Sequence, residues 1–336
     1  PLLWLGSRYG NPGGAAGRVP SGRRIVEAMA VRGILLCGLA ALGAATAAAG
    51  METCPGETMV EGYGAVSIVP TGWANMSVSD RGHVVPTLSG RAYFADRCTP
   101  GHFDHHDYVA FNLLGKTFRY TTDVSGAGCG CNAALYMTSM RQNTRKSECH
   151  DYYCDANNVC GESCAEIDIQ EANMYAWHST LHASTDHSGL GAGIGGGDSA
   201  SNGPRDWTEA EYGPNGKCID TSNPFDVAVS FPIDPTGMLV SMEVTLSQRG
   251  KPCSLSLAVD QYKNIEEVSK ALSDGMTPIV SYWSARGMLW LDGMGQDREG
   301  PCVEDHPSRC AETIKFYNFS IEEMLEPVRT TTATTT

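Results

Sequence analysis

The feature that most restricts this chain is a two-residue hydrophobic rhythm with almost no three-to-four-residue one. Phe225, Val227, Val229, Phe231 and Ile233 alternate with mostly polar or small residues. Met238, Val240, Met242, Val244 and Leu246 repeat the pattern, and Leu255, Leu257 and Val259 repeat it again. Successive side chains on a strand point to opposite faces, so each run predicts a strand with one face in a core. Pro235-Thr236-Gly237 and Arg249-Gly250 separate the runs and make them antiparallel neighbours. Many such strands in one domain predict an all-β fold, an antiparallel β-sandwich or jelly roll. One short helix is expected over residues 264–273, with Asn264 as cap, Glu267 at the capping-box position and Ile265, Val268 and Leu272 on the apolar side. Residues 189–203 are rich in Gly and Ser, lack the Lys-Ser/Thr end of a phosphate loop, and read as a surface loop.

The ends of the chain read differently. Met29 begins a segment with one early cation, Arg32, an apolar run over residues 34–45 and a small-residue tail, Ala47-Ala48-Ala49. That is the layout of a secretory signal peptide, and the run is too short to span a bilayer. The expected organisation is a leader over 1–28, a signal peptide over 29–49, one large domain over 50–328 and a Thr-rich tail or linker start over 329–336. Of the 13 cysteines, Cys37 falls in the signal peptide and leaves an even set from Cys54 to Cys310. In an oxidising compartment such a set predicts a disulfide framework, and the spacings of Cys129, Cys131, Cys154, Cys160 and Cys164 give no pair of zinc knuckles. Two sequons, at Asn75 and Asn318, suit a secreted glycoprotein. A formal net charge of −14 lacks the basic footprint that nucleic acid requires. No metal or cofactor is expected. His178 and His182 would present a metal pair only on a helix, and His102, His105, His106 and His187 read as loop residues.

The chemistry concentrates in Ala165-Glu166-Ile167-Asp168-Ile169-Gln170-Glu171-Ala172-Asn173. On a strand Glu166 and Asp168 share a face, and Ile167 and Ile169 take the core side. Glu171 lies an odd number of residues from Glu166 and would point inward, unless a β-bulge near Ile169-Gln170 returns it to the acidic face. The two glutamates would then stand about 13 Å apart along the backbone at about 3.3 Å per residue. Two long side chains leaning together can close that to the roughly 5–5.5 Å between carboxyl groups of retaining glycosidases. Carboxylates this close cannot all ionise freely, and such a site divides into an ionised nucleophile and a protonated acid. The plainer alternative is a solvated acidic edge strand.

The stretch resembles the E-M-D-I-W-E-A-N signature of family-seven glycoside hydrolases, cellulases with a jelly-roll fold and a long, concave substrate cleft. Other segments follow the same family in order. Phe111-Asn112-Leu113-Leu114-Gly115, Asp123-Val124-Ser125 and the run from Cys129 to Tyr136 resemble its F-x-L-L-G, D-V-D-V-S and C-G-L-N-G-A-L-Y. Tyr153-Cys154-Asp155, Tyr212-Gly213-Pro214, Gly275 to Trp283 and Met288-Leu289-Trp290-Leu291-Asp292 resemble its Y-C-D, F-Y-G-P, G-M-V-L-V-M-S-L-W and M-L-W-L-D. The resemblance implies Glu166 as nucleophile, Glu171 as general acid/base, Asp168 as the residue orienting and tuning the nucleophile, and His182 beside the reacting sugar. It implies sugar-hydroxyl contacts from Asn132, Tyr136 and Asp155, stacking platforms at Trp283 and Trp290, and an approximate subsite match at Arg298. Core packing is the alternative for both tryptophans.

Several departures are visible. The region before residue 105 is short, the insertion before the catalytic strand is missing, and Arg141-Gln142-Asn143 replaces an acidic loop. The arginine near F-Y-G-P has no counterpart in this reading. Lost loops favour an open cleft and internal cutting. The expectation is thus a secreted, monomeric, cofactor-free retaining hydrolase of β-1,4-glucan, free of the membrane once its signal is removed. A β-1,3 or mixed-linkage glucanase with the same catalytic motif, and a non-catalytic glucan-binding lectin on the same scaffold, are the alternatives.

Overall fold

The alternating runs become strands in the computed structural model, which describes residues 53–71, 74–195, 205–294 and 300–324. In chain order they are β1 (Glu57–Glu61), β2 (Gly64–Pro70), β3 (Met76–Val78), β4 (Val84–Pro86), β5 (Gly90–Ala95), β6 (Lys116–Asp123), β7 (Cys131–Thr138), β8 (Glu166–Ala172), β9 (Trp177–His182), β10 (Leu190–Ile194), β11 (Tyr212–Gly213), β12 (Ile219–Asp220), β13 (Phe225–Ser230), β14 (Met242–Ser247), β15 (Leu255–Val259), β16 (Thr277–Ser284) and β17 (Lys315–Glu323). The helices are α1 (Ile265–Asp274) and α2 (Leu289–Asp292). One continuous sheet runs β10-β9-β8-β7-β16-β5-β2-β1-β17-β6-β13-β14-β15, and its far end returns so that β15 lies against β9 and β10.

The sheet folds over on itself because one face of every strand is apolar. Ile167 and Ile169 from β8, Leu135 from β7, Phe118 from β6 and Val227 and Val244 from β13 and β14 share one core. Phe94 of β5 meets Phe319 of β17 edge-to-face at 5.1 Å, and Trp177 of β9 lies 6.0 Å from Phe225 of β13. The pairing is antiparallel except at β1–β17 and the two-residue pair β11–β12, which are parallel. Six disulfides engage all the cysteines from Cys54 to Cys310: 54–98, 129–302, 131–310, 149–160, 154–164 and 218–253.

Three expectations need correction. The Gly-rich stretch from residue 189 begins as β10, paired with β9, because its glycines let backbone pack where side chains would not fit. The alternation fails beside the β13–β14 turn. Ile233 and Val240 are exposed while Leu239 and Ser241 are buried, since the chain changes phase before β14 begins. Asn264 does occupy the cap position of α1 but makes no side-chain cap bond, and Glu267 accepts from the Ser184 N–H, so no capping box forms. His178 and His182 lie on strand β9.

Candidate active site

Strand β8 carries the acidic motif, and its register shows how Glu171 reaches the outer face. On β7, Leu135 pairs with Gln170 and Tyr136 with Asp168. On β9, Thr180 pairs with Asp168 and His178 with Glu171. One residue is therefore extra at Ile169-Gln170, the β-bulge that the odd spacing demands. Both bulge residues turn inward. Ile169 enters the core, and its carbonyl accepts from Ser179 Oγ at 2.7 Å, which in turn receives the Trp177 indole N–H at 2.9 Å. Gln170 is fully buried. Its amide nitrogen donates to Thr122 Oγ1 and the Ala133 carbonyl, and its oxygen accepts from the Tyr120 hydroxyl. A polar side chain in the core is tolerable only when satisfied in this way.

With the bulge in place, Glu166, Asp168 and Glu171 face away from the core, the first two buried and Glu171 half-buried. Each has a defined partner. The Ala156 N–H donates to Glu166 Oε2 at 3.0 Å. Asn132 Nδ2 donates to Glu171 Oε1 at 2.9 Å, while Asn132 Oδ1 accepts the Ala172 N–H. His182 Nε2 lies 3.2 Å from Asp168 Oδ2, and its Nδ1 donates to the Asp186 carbonyl at 2.7 Å.

Burial pushes the Glu166 carboxyl well above its ordinary range, and the charges of Asp168 and Asp155 add to the shift. Burial and Asp168 push Glu171 up to about 8, against the pull of the Asn132 bond and His182. At His182 burial favours the neutral ring, but the bond and charge of Asp168 outweigh it and raise its pKa. The patch therefore holds protons that ordinary carboxyls would have lost, and the backbone N–H at Glu166 favours charge there.

The two sides of β8 differ. Toward β7 and β5, Tyr136 and Tyr153 hydroxyls stand 3.1 Å apart, and the Arg91 guanidinium lies 3.8 Å from the centre of the Tyr153 ring. Asp155 accepts the Val159 N–H, and burial holds its carboxyl above the usual range. Toward β9 and β10 stand His178, Thr180 and His182. Trp283 pairs across from Asn132, and both Trp283 and Trp290 are half-buried against Ala176, Met288 and Leu291. Arg298 lies outside the described residues.

The sequence reading left out three things. Arg91, buried beside Tyr153, comes from the short region before residue 105. Arg205 stands beside His178, six residues ahead of the Glu211-Tyr212-Gly213-Pro214 segment, so an arginine does accompany that motif after all. Asp292 ties four quoted segments together. Its Oδ2 accepts from the Gly130 N–H at 3.0 Å and from Asn173 Nδ2 at 2.6 Å, and the Tyr212 hydroxyl donates to the Asn173 carbonyl. Burial raises the Asp292 carboxyl to about 6. A pocket of about 310 Å³ bordered by Leu114, Met238 and Ser269 lies away from all of these residues.

The sequence profile described as glycosyl hydrolase family 7 matches residues 52–157. Endoglucanase EG-1 of Trichoderma longibrachiatum is 31% identical over 239 residues, covering 60% of this chain and 50% of the relative. Both matches point to the same family, glycosyl hydrolase family 7. Endo-beta-1,4-glucanase celB of Emericella nidulans is 26% identical over 321 residues, with 75% of this chain and 73% of the relative covered. A solved endoglucanase I complexed with cellobiose shares the fold at 17% identity and a TM-score of 0.56, over 80% of this chain and 96% of that one. This chain spans about half the length of the Trichoderma enzyme, and its profile match ends before Glu166.

Proposed function

We propose that this chain is a member of glycosyl hydrolase family 7, a secreted retaining glycoside hydrolase that cuts β-1,4-linked glucan at internal bonds. The observation that carries the reading is the bulge in β8, which sets Glu166, Asp168 and Glu171 on one face. Relatives named endoglucanase and endo-beta-1,4-glucanase, and a neighbour complexed with cellobiose, support the substrate class.

Burial raises the pKa of both glutamates, and in this reading the pair shares one proton, carried by Glu171 while the Ala156 N–H favours charge on Glu166. Glu171 gives that proton to the glycosidic oxygen while the Glu166 carboxylate attacks the anomeric carbon. The glycosyl–Glu166 ester forms as the carbon–oxygen bond to the departing sugar breaks. Glu171, now charged, removes a proton from water, which displaces Glu166 and restores both groups. Asp168, bonded to His182, orients and tunes the nucleophile, and His182 stands beside the reacting sugar. Asn132 spends both ends of its amide on Glu171 and the Ala172 N–H, so its role is to position the acid. Tyr136, Asp155 and Arg298 would contact sugar hydroxyls, and Trp283 and Trp290 would give flat apolar platforms to pyranose rings. The protein would work as a monomer on glucan outside the cell.

The test is hydrolysis of soluble β-1,4 and β-1,3 glucans by the purified chain, with viscosity and reducing ends followed together. A fast viscosity drop on the β-1,4 polymer alone is expected. Cleavage confined to β-1,3 glucan would move the reading to a laminarinase, and binding without cleavage would move it to a lectin.

A further inference from the structure

Strand β9 turns Trp177, Ser179 and Leu181 toward the interior and His178, Thr180 and His182 toward the outer face. Thr180 and His182 stand opposite Asp168 and Glu166. His178 stands opposite Glu171, and the proposed mechanism gives it no task. Cross-strand neighbours bring their Cβ atoms to about 4.5–5.5 Å, so the His178 side chain starts beside that of Glu171.

The surroundings of His178 suit a polar function better than packing. Its Nδ1 lies 3.5 Å from Thr180 Oγ1, and Arg205 is near enough to act on its charge. Gly191 of β10 makes room for the ring, since a Cβ there would come within 2.9 Å of His178 Cε1. Burial, with the charges of His182 and Arg205, lowers its pKa to about 4. The ring is therefore neutral wherever the glutamates work, with one donor and one acceptor nitrogen. On the other flank of Glu171, Asn132 is committed to the carboxylate itself. Tyr136, Tyr153, Asp155 and Arg91 gather on the β7 side of β8, so β9 and β10 are left for the unit on the far side of the broken bond.

We propose that His178 is a specificity-determining residue on the leaving-group side, where its imidazole hydrogen-bonds a hydroxyl of the sugar that Glu171 releases. The inference rests on the assignment of Glu166 and Glu171 above.

The experiment compares two substrates that differ only in what departs. Cellotetraose releases a sugar, and 4-nitrophenyl β-cellobioside releases a phenol without sugar hydroxyls. The readout is the ratio of kcat/KM for the first to kcat/KM for the second. In His178→Ala this ratio should fall about tenfold, the scale of one lost hydrogen bond, with the change mainly in KM. His178→Gln, which keeps a donor and an acceptor, should recover most of it. His178→Leu keeps the bulk without the polar atoms, guards against a collapse of the Ala variant, and should show the same fall as Ala. Equal losses on both substrates, with a lowered Tm and an unchanged ratio, would show a role in the fold and overturn the proposal. An unchanged ratio with normal rates would overturn it equally, while leaving the glutamate assignment intact. A wild-type chain that hydrolyses neither substrate would remove the assignment and the inference together.

Discussion

Glu171 owes its unusual proton affinity to opposing influences that can be separated one side chain at a time. Burial and the Asp168 charge raise its pKa to about 8, and the Asn132 amide pulls the other way because it donates to the charged form. Asn132→Ala should therefore move the basic limb of kcat/KM upward, by about one pH unit if the bond has the usual strength of one to a charged group. The sign is fixed: losing a donor to a carboxylate favours its protonated form. A limb that stays in place or moves down would detach Asn132 from the acid. The pairing of Glu166 with a backbone N–H and of Glu171 with Asn132 could not be read from the sequence, because both partners come from elsewhere in the chain. Ala156 reaches Glu166 from a loop held by the Cys154–Cys164 and Cys149–Cys160 bridges.

At the scale of elements, the bulge is the feature on which the site depends. It was legible because the spacing of Glu166, Asp168 and Glu171 conflicts with a strict two-residue period, and only one inserted residue resolves the conflict. Deleting Ile169 removes the extra residue and leaves Glu166, Asp168 and Glu171 on alternate positions of a regular strand, all three still on the outer face. The variant should fold, with a cooperative melt at a Tm lowered by the lost Ile169 packing. Loss of the cooperative melt would contradict the bulge. Strand β10 was illegible for the converse reason. Gly191 and Gly193 carry no side chain to mark a face, and their purpose appears only against β9. Gly193 has φ +141°, and a Cβ there would strike the Trp177 carbonyl. Gly193→Ala should destabilise the chain by on the order of 2 kcal/mol or more, read from denaturant unfolding. The phase change before β14 was hidden as well, because Leu239 and Ser241 are buried by the way the turn folds and not by periodicity.

For the whole molecule, the sequence indicated an all-β domain with paired cysteines, while the closure of one sheet from β10 round to β15 depends on long-range pairing that no local pattern encodes. Its pH response follows from the buried acids. Glu166, Glu171, Asp155 and Asp292 all have raised pKa values, so the folded chain holds protons that the unfolded chain releases. Their stabilisation is complete below about pH 4, where the unfolded carboxyls are protonated, and is lost as pH rises toward 8. His178 and His83, with lowered pKa values, oppose this, while His182 and Asp206, with raised ones, act with the four carboxyls. Tm should fall by on the order of 5 °C between pH 5 and 8, with a shallower slope in Glu171→Gln. A Tm that climbs over that range would contradict the protonated cluster. The central claim, a retaining site with Glu166 as nucleophile, is tested most directly by trapping. The chain is incubated with an activated 2-deoxy-2-fluoro-β-cellobioside, digested with a protease, and the labelled peptide is sequenced by mass spectrometry. The account predicts one glycosyl adduct per chain, on Glu166, and none in Glu166→Gln. An adduct on Glu171, or no adduct together with an inverted product anomer, would contradict it.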